Sequence, residues 1–168
     1  MTTTVKHPLM HPTHIDLPEK KREKLVDLLN QALAHLIDLN LQVKQAHWNV
    51  KGMRFIALHE LFDMLYEELK GQIDTVAERA TTLAGAAQGT LQAVAKASTL
   101  DEYPLAITSG EEHLKALVKQ YAHVAKLVRN GIDEAEELDD KSTADVFTEI
   151  SRGLDMRLWF LEAHLQDK

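Results

Sequence analysis

The chain has 168 residues, 45% of them hydrophobic, with a formal net charge of -7 and no cysteine. That length and composition fit one domain with a full core, exclude disulfides and thiolate metal sites, and disfavour generic binding to phosphate backbones. No apolar stretch reaches the ~20 residues of a membrane span, and the opening "MTTTVKHPLMHPTH" lacks the apolar run of a signal peptide, so the expectation is a cytoplasmic protein.

With only 7 Gly and 4 Pro and much Ala, Leu, Glu, Lys and Gln, the composition favours helices. Residues 1–17 carry Pro8 and Pro12 without helical periodicity and read as a flexible arm, leaving 18–168 as the domain. Pro18 suits a first helical turn. From there Leu25, Leu28, Leu29, Ala32, Leu33, Leu36, Leu39 and Val43 recur at three- and four-residue steps, one apolar stripe on a helix running to about Trp48.

Gly52 breaks that pattern. A second helix follows, with Leu58, Leu61, Phe62, Leu65, Leu69, Ile73, Val76 and Ala80 on one face and an end near Gly85. The long connection 85–103 needs structure of its own, and "TLQAVAKAS" within it can form a short helix. Pro104 is expected near the start of the third long helix, whose stripe uses Leu114, Leu117, Val118, Tyr121, Val124, Ala125 and Val128, with Gly131 weakening its end. An acidic turn, "DEAEELDDKSTAD", leads to a fourth, capped by Ser142 or Thr143 and striped by Val146, Phe147, Ile150, Leu154, Leu158, Leu161 and Leu165. Four long helices with one long crossover describe an all-α, ferritin-like four-helix bundle better than a simple up-down bundle.

The second helix carries His59, Asp63, Asp74 and Glu78. On a wheel of about 100° per residue, with His59 at zero, they fall near ~40°, ~60° and ~100° in that order, away from the core stripe near ~270°. Asp63 and Asp74 are separated by a rise of about 16 Å, too far for one site on one straight helix. The array therefore splits into two i,i+4 halves, His59 with Asp63 and Asp74 with Glu78. Two antiparallel copies of the helix about a twofold axis would set one half against the other and make two equivalent sites. His47, at the end of the first helix, can join His59 across a short turn. Two imidazoles and three carboxylates suit iron, with zinc and manganese as competitors. On spacing alone an ordinary surface is the alternative, with Asp74 and Glu78 paired to Lys70 or Arg79.

The strings "KQAHWNVKGMRFIALHELFD" and "IDTVAER", with the later "YPLAI" and "DMRLWFLEAHL", resemble the Dps family, the mini-ferritins that protect DNA in starved bacteria. The resemblance covers roughly residues 20–166. It implies His47, His59, Asp63, Asp74 and Glu78 as the ferroxidase ligands, with Trp48 beside them. It also implies a hollow homododecamer with two sites at each twofold interface, where Fe(II) is oxidised, preferably by hydrogen peroxide, and stored as ferric mineral. Imidazoles must be unprotonated to bind, so uptake should weaken at acid pH. No well-placed Glu-x-x-His pair supports the intrabundle site of larger ferritins. Acidic residues around a threefold pore are a further implication, with Asp140 and Asp145 the preferred pair.

One departure concerns DNA, which many members of that family bind through a lysine-rich arm. Residues 1–17 hold Lys6 as their one strong cation, offset by Asp16, and Lys20, Lys21, Arg22 and Lys24 mix with Glu19 and Glu23. Weak or absent DNA binding is expected, and a nucleoid-binding structural protein is the second reading. His7, His11 and His14 give the arm imidazoles that could bind a metal or become cationic in acid.

Overall fold

The computed structural model describes residues 9–166. Its described elements are five helices: α1 (Glu19–Asn49), α2 (Phe55–Thr82), α3 (Leu91–Ala97), α4 (Gly110–Glu137) and α5 (Lys141–Ala163). α1 packs chiefly on α2 and α4 on α5, two hairpins joined by the crossover that carries α3 against α1. This is the expected ferritin-like bundle with a short extra helix in the long connection.

The apolar stripes form its core. Leu25, Leu29, Leu33, Leu36 and Leu39 of α1 meet Leu58, Phe62, Leu65 and Leu69 of α2, Tyr121 of α4 and Phe147 of α5 in one buried cluster. Burial of such side chains, at about 1.5–3 kcal/mol each, drives association of helices whose outer faces are charged. Residues 9–17 form no helix, yet Met10 and Leu17 pack against the core and the His11 amide donates to the Ala84 carbonyl at 2.8 Å. His14 is exposed, and His7 lies outside the described residues.

Polar side chains fix the crossover. Asn30, buried on α1, donates to the Ala86 carbonyl at 3.0 Å and accepts from the Gln88 amide at 2.9 Å. Gln42 donates to the Asp101 carbonyl at 3.1 Å. At Gly85 the chain passes so near α1 that a β-carbon would stand 2.4 Å from Val26. The buried Arg22 binds the Leu17 and Leu83 carbonyls at 3.1 and 3.0 Å, joining the start of α1 to the end of α2.

Two boundaries differ from expectation. α4 starts at Gly110, with Pro104 in the preceding loop. The start signal is the capping box of Ser109 and Glu112, which satisfies free amides that a proline would only omit. α4 runs through Gly131 to Glu137, and the missing side chain at Gly131 lets Phe147 pack closely there. The cap of α5 is Asp140, not Ser142 or Thr143; its carboxylate accepts from the Thr143 amide at 3.4 Å.

Asp140 also receives Arg79 from α2 at 3.0 and 2.8 Å and is only 7% exposed. Its carboxylate thus faces Arg79 and Thr143 rather than solvent, whereas Asp145 is exposed on α5. Burial pushes the Asp140 carboxyl up, but hydrogen bonds from Thr143 and Arg79 and the guanidinium charge outweigh it, leaving the pKa depressed. Its contribution is therefore complete above the ordinary carboxylate range and is lost as pH falls through the depressed value. Asp140→Ala, which removes a cap and strands Arg79, should destabilise the protein by about 2–4 kcal/mol in urea unfolding. Asp145→Ala should stay within about 0.5 kcal/mol. Equal effects would refute this division of roles.

Candidate metal centre

A helix leaves its last carbonyls without internal partners. In the final turn of α1, the His47 carbonyl accepts from His59 Nδ1 at 2.8 Å, and His47 Nδ1 donates in return to the His59 carbonyl at 2.9 Å. The short turn Val50–Arg54, with Gly52 at φ 106°, brings the two residues together. Their rings stack with centroids 3.7 Å apart and planes at 21°, and Phe55 lies 5.0 Å from the His59 ring. A carbonyl only accepts, so each Nδ1 carries the proton. In the neutral ring, that leaves a lone pair on both Nε2 atoms. Such carbonyl contacts are the usual way a ligating histidine is oriented.

Asp63 lies one turn beyond His59. Its Oδ1 is 3.7 Å from His47 Nδ1 and 2.6 Å from Lys44 Nζ. The ammonium of Lys44 also sits 4.5 Å from the Tyr66 ring centre, a cation–π contact. The hydrogen bond from Lys44, aided by its charge and by His47 and His59, holds the half-exposed Asp63 carboxyl below its ordinary range. Trp48 follows His47 and is 67% exposed.

Asp74 and Glu78 stand farther along α2, both exposed. The surface-pair alternative for them does not hold: Lys70 binds Glu67 at 2.7 Å, and Arg79 binds Asp140. Nor is Asp63 tied to His59; Lys44 holds it. Leu58, Phe62, Leu65, Leu69, Val76 and Ala80 are the buried residues of α2, so the donor face points out of the bundle. Among the described residues of one protomer, no three His, Asp or Glu side chains gather so as to hold a metal ion. His47, His59 and Asp63 are brought together; Asp74 and Glu78 are not brought to them.

Four other histidines, all on the helices or at the end of α5, have local partners. His35 is buried between the Gln31 carbonyl at 2.6 Å and Thr99 Oγ1 at 2.9 Å, and His123 reaches the same Thr99 hydroxyl at 3.1 Å. The Tyr103 hydroxyl and His113 Nδ1 are hydrogen-bonded at 2.6 Å, and His164 donates to the Phe160 carbonyl at 2.7 Å. The residue missed from sequence is Lys44. Its signal was available: it precedes His47 by three positions on α1 and therefore shares its face.

A cation bound at Asp63 would be repelled by the Lys44 ammonium, which already neutralises that carboxylate through Oδ1. Lys44→Met keeps the apolar stem and removes the charge, so Co(II) binding, followed by its visible absorbance, should tighten roughly two- to fivefold. Unchanged or weaker binding would show that Lys44 does not compete.

Known proteins place this geometry in context. The family model of the ferritin-like domain matches residues 26–168. A DNA protection during starvation protein of Agrobacterium fabrum is 48% identical over 94% of this chain and 98% of its own length. Among solved structures, Mycobacterium smegmatis Dps superposes with a TM-score of 0.89 at 36% identity, covering 95% of this chain and 96% of that one. A Vibrio cholerae Dps protein, described as a member of a broad superfamily of ferritin-like diiron-carboxylate proteins, superposes at 0.87 with 26% identity over 94% of this chain and 99% of its own. With its fold, its helix order and nearly its whole length shared with these proteins, the chain belongs to the Dps family of ferritin-like proteins.

Proposed function

We propose that this chain is a ferroxidase that stores iron, oxidising Fe(II) at sites completed between subunits. The observation that carries the reading is the pair of Nδ1–carbonyl bonds, which leaves a lone pair on each Nε2 of two stacked imidazoles, with Asp63 Oδ1 3.7 Å from the His47 ring at Nδ1. His47, His59 and Asp63 form one half of each site. Asp74 and Glu78 of a twofold-related copy supply the other half, because they lie about 16 and about 22 Å along α2 from Asp63 and are exposed without a side-chain partner among the described residues. Within a hollow homododecamer, such interfaces would face the space in which ferric mineral accumulates.

Iron is substrate and cargo. Two ferrous ions each give one electron to hydrogen peroxide, the O–O bond breaks, and two protons complete two water molecules. Delivering both electrons at one site avoids the hydroxyl radical that one-electron reduction releases. Imidazoles help to bind the ferrous ion, and carboxylates favour the harder ferric product. Zinc and manganese are competitors for the same donors. DNA would be protected by removal of both Fenton reactants in the bacterial cytoplasm, with Asp145 part of an acidic route for cation entry.

Direct DNA binding is weak in this reading. Of the four cations at the start of α1, Arg22 is buried on carbonyls and Lys21 is paired with Asp139. Lys20 and Lys24 remain exposed beside Glu19 on an acidic protein.

The decisive experiment adds Fe(II) anaerobically, then peroxide, and follows ferric absorbance. Asp74→Ala/Glu78→Ala should slow oxidation by at least about tenfold; an unaltered rate would eliminate the site. Subunits of that variant, exchanged with His59→Ala/Asp63→Ala, should regain activity by forming one intact site per mixed dimer, and proven exchange without recovery would eliminate the sharing. In a gel shift at neutral pH and physiological salt the wild type should leave DNA unretarded, whereas tight retardation would favour the nucleoid-binding alternative.

A further inference from the structure

Two opposite charges stand on the outer face of α2 between its two sets of donors. On the wheel that runs from His59 at zero to Glu78 at ~100°, Glu67 falls at ~80° and Lys70 at ~20°. They pair within the chain at 2.7 Å, and each side chain is about half exposed. Lys70 Nζ also lies 5.5 Å from the centre of the Tyr66 ring. Gly71, at the edge of the same face, is exposed, and a β-carbon there would meet nothing within 4 Å.

The spacing of these residues has a symmetry. When two identical helices run antiparallel across a twofold axis, residues equally far from the axis face each other. The midpoint between His59 and Glu78 falls between Glu68 and Leu69, and so does the midpoint between Asp63 and Asp74. The register that sets one half-site against the other therefore has its axis there. Glu67 and Lys70 flank the same point. In that register Glu67 of each copy faces Lys70 of the other, and four charges alternate in sign around the axis. Gly71 comes opposite Tyr66, a bare position opposite a ring. Sliding one copy by three residues, about 4.5 Å, sets Glu67 against Glu67 in one direction and Lys70 against Lys70 in the other. Like charges brought together oppose either slip. Asp63 and Asp74, both carboxylates, give no such attraction of their own.

We infer that Glu67 and Lys70 exchange their ion pair between two copies of this chain on assembly, and that the exchanged pairs fix the register that aligns His59 with Glu78 and Asp63 with Asp74. The inference rests on the reading that a second copy completes the metal site. Neither residue touches metal in it; both are positioning residues. An exposed pair within one chain contributes little, so little is lost when it opens.

The test reads the pairing in full-length, metal-free protein. Glu67→Lys leaves two cations at these positions and Lys70→Glu two anions, so each variant repels its own copy and attracts the other. Co-produced, with a short tag on one to separate their masses, the two should enter each assembly in equal numbers by native mass spectrometry, whereas tagged and untagged wild-type chains should mix at random. Each variant alone should oxidise Fe(II) at least about tenfold more slowly than wild type, and the co-produced pair should recover most of the rate. The double variant Glu67→Lys/Lys70→Glu, which restores opposite signs at every contact, should behave as wild type. Random composition of the co-produced variants overturns the inference, as does equal composition without recovered oxidation beside an active wild type, or a double variant as impaired as the single ones. If the wild type itself oxidises no Fe(II), the ferroxidase reading fails, while the composition still decides whether the charges pair between copies.

Discussion

The end of α1 is the constraint on which the site depends. A helix that stops inside a protein leaves carbonyls to satisfy, and here the His47 carbonyl takes the Nδ1 proton of His59 while His47 returns the same bond. Two structural hydrogen bonds are made, and two Nε2 lone pairs are left as a by-product. The closing of a helical hairpin and the orientation of the two imidazoles are therefore one event. Loosening the turn between α1 and α2 would disturb both, because each ring is held by the other residue's main chain.

Such a pair is useful only on a surface another donor set can reach. The apolar stripe of α2 is buried against α1, α4 and α5, and this turns Asp63, Asp74 and Glu78 outward. Asn30, Gln42 and Gly85 pin the crossover to α1, while Arg79 is drawn to Asp140 and away from the neighbouring Glu78. Lys44 pairs with Asp63 across the α1–α2 interface. The fold thus leaves Asp74 and Glu78 exposed on one face of α2, while Asp63 on the same helix is partly neutralised by a lysine of α1.

The regular parts of this arrangement were legible in the sequence. Leu25 to Val43 and Leu58 to Ala80 marked two helices, and the rise along the second showed that its carboxylates divide into two halves. The boundaries governed by capping were less legible. Pro104 is a conspicuous residue, yet α4 starts at Ser109–Gly110, where the side chains of Ser109 and Glu112 answer free amides. Asp140 was one acidic residue among several until Arg79, 61 positions away, came against it. Lys44 lay on the same face as His47, but its contact with Asp63 crosses between helices.

Periodicity along the chain determined the four long helices, the short one in the crossover, and the one-sided donor array, because helical geometry converts spacing directly into faces and heights. Motif strings determined the family. Tertiary structure alone decided which ring nitrogens are occupied, which carboxylates are neutralised by Lys44 and Arg79, and which carbonyls cap α1. Those are contacts between residues distant in the chain, and a hydrogen bond across a helix interface depends on a few tenths of an ångström that no spacing rule carries.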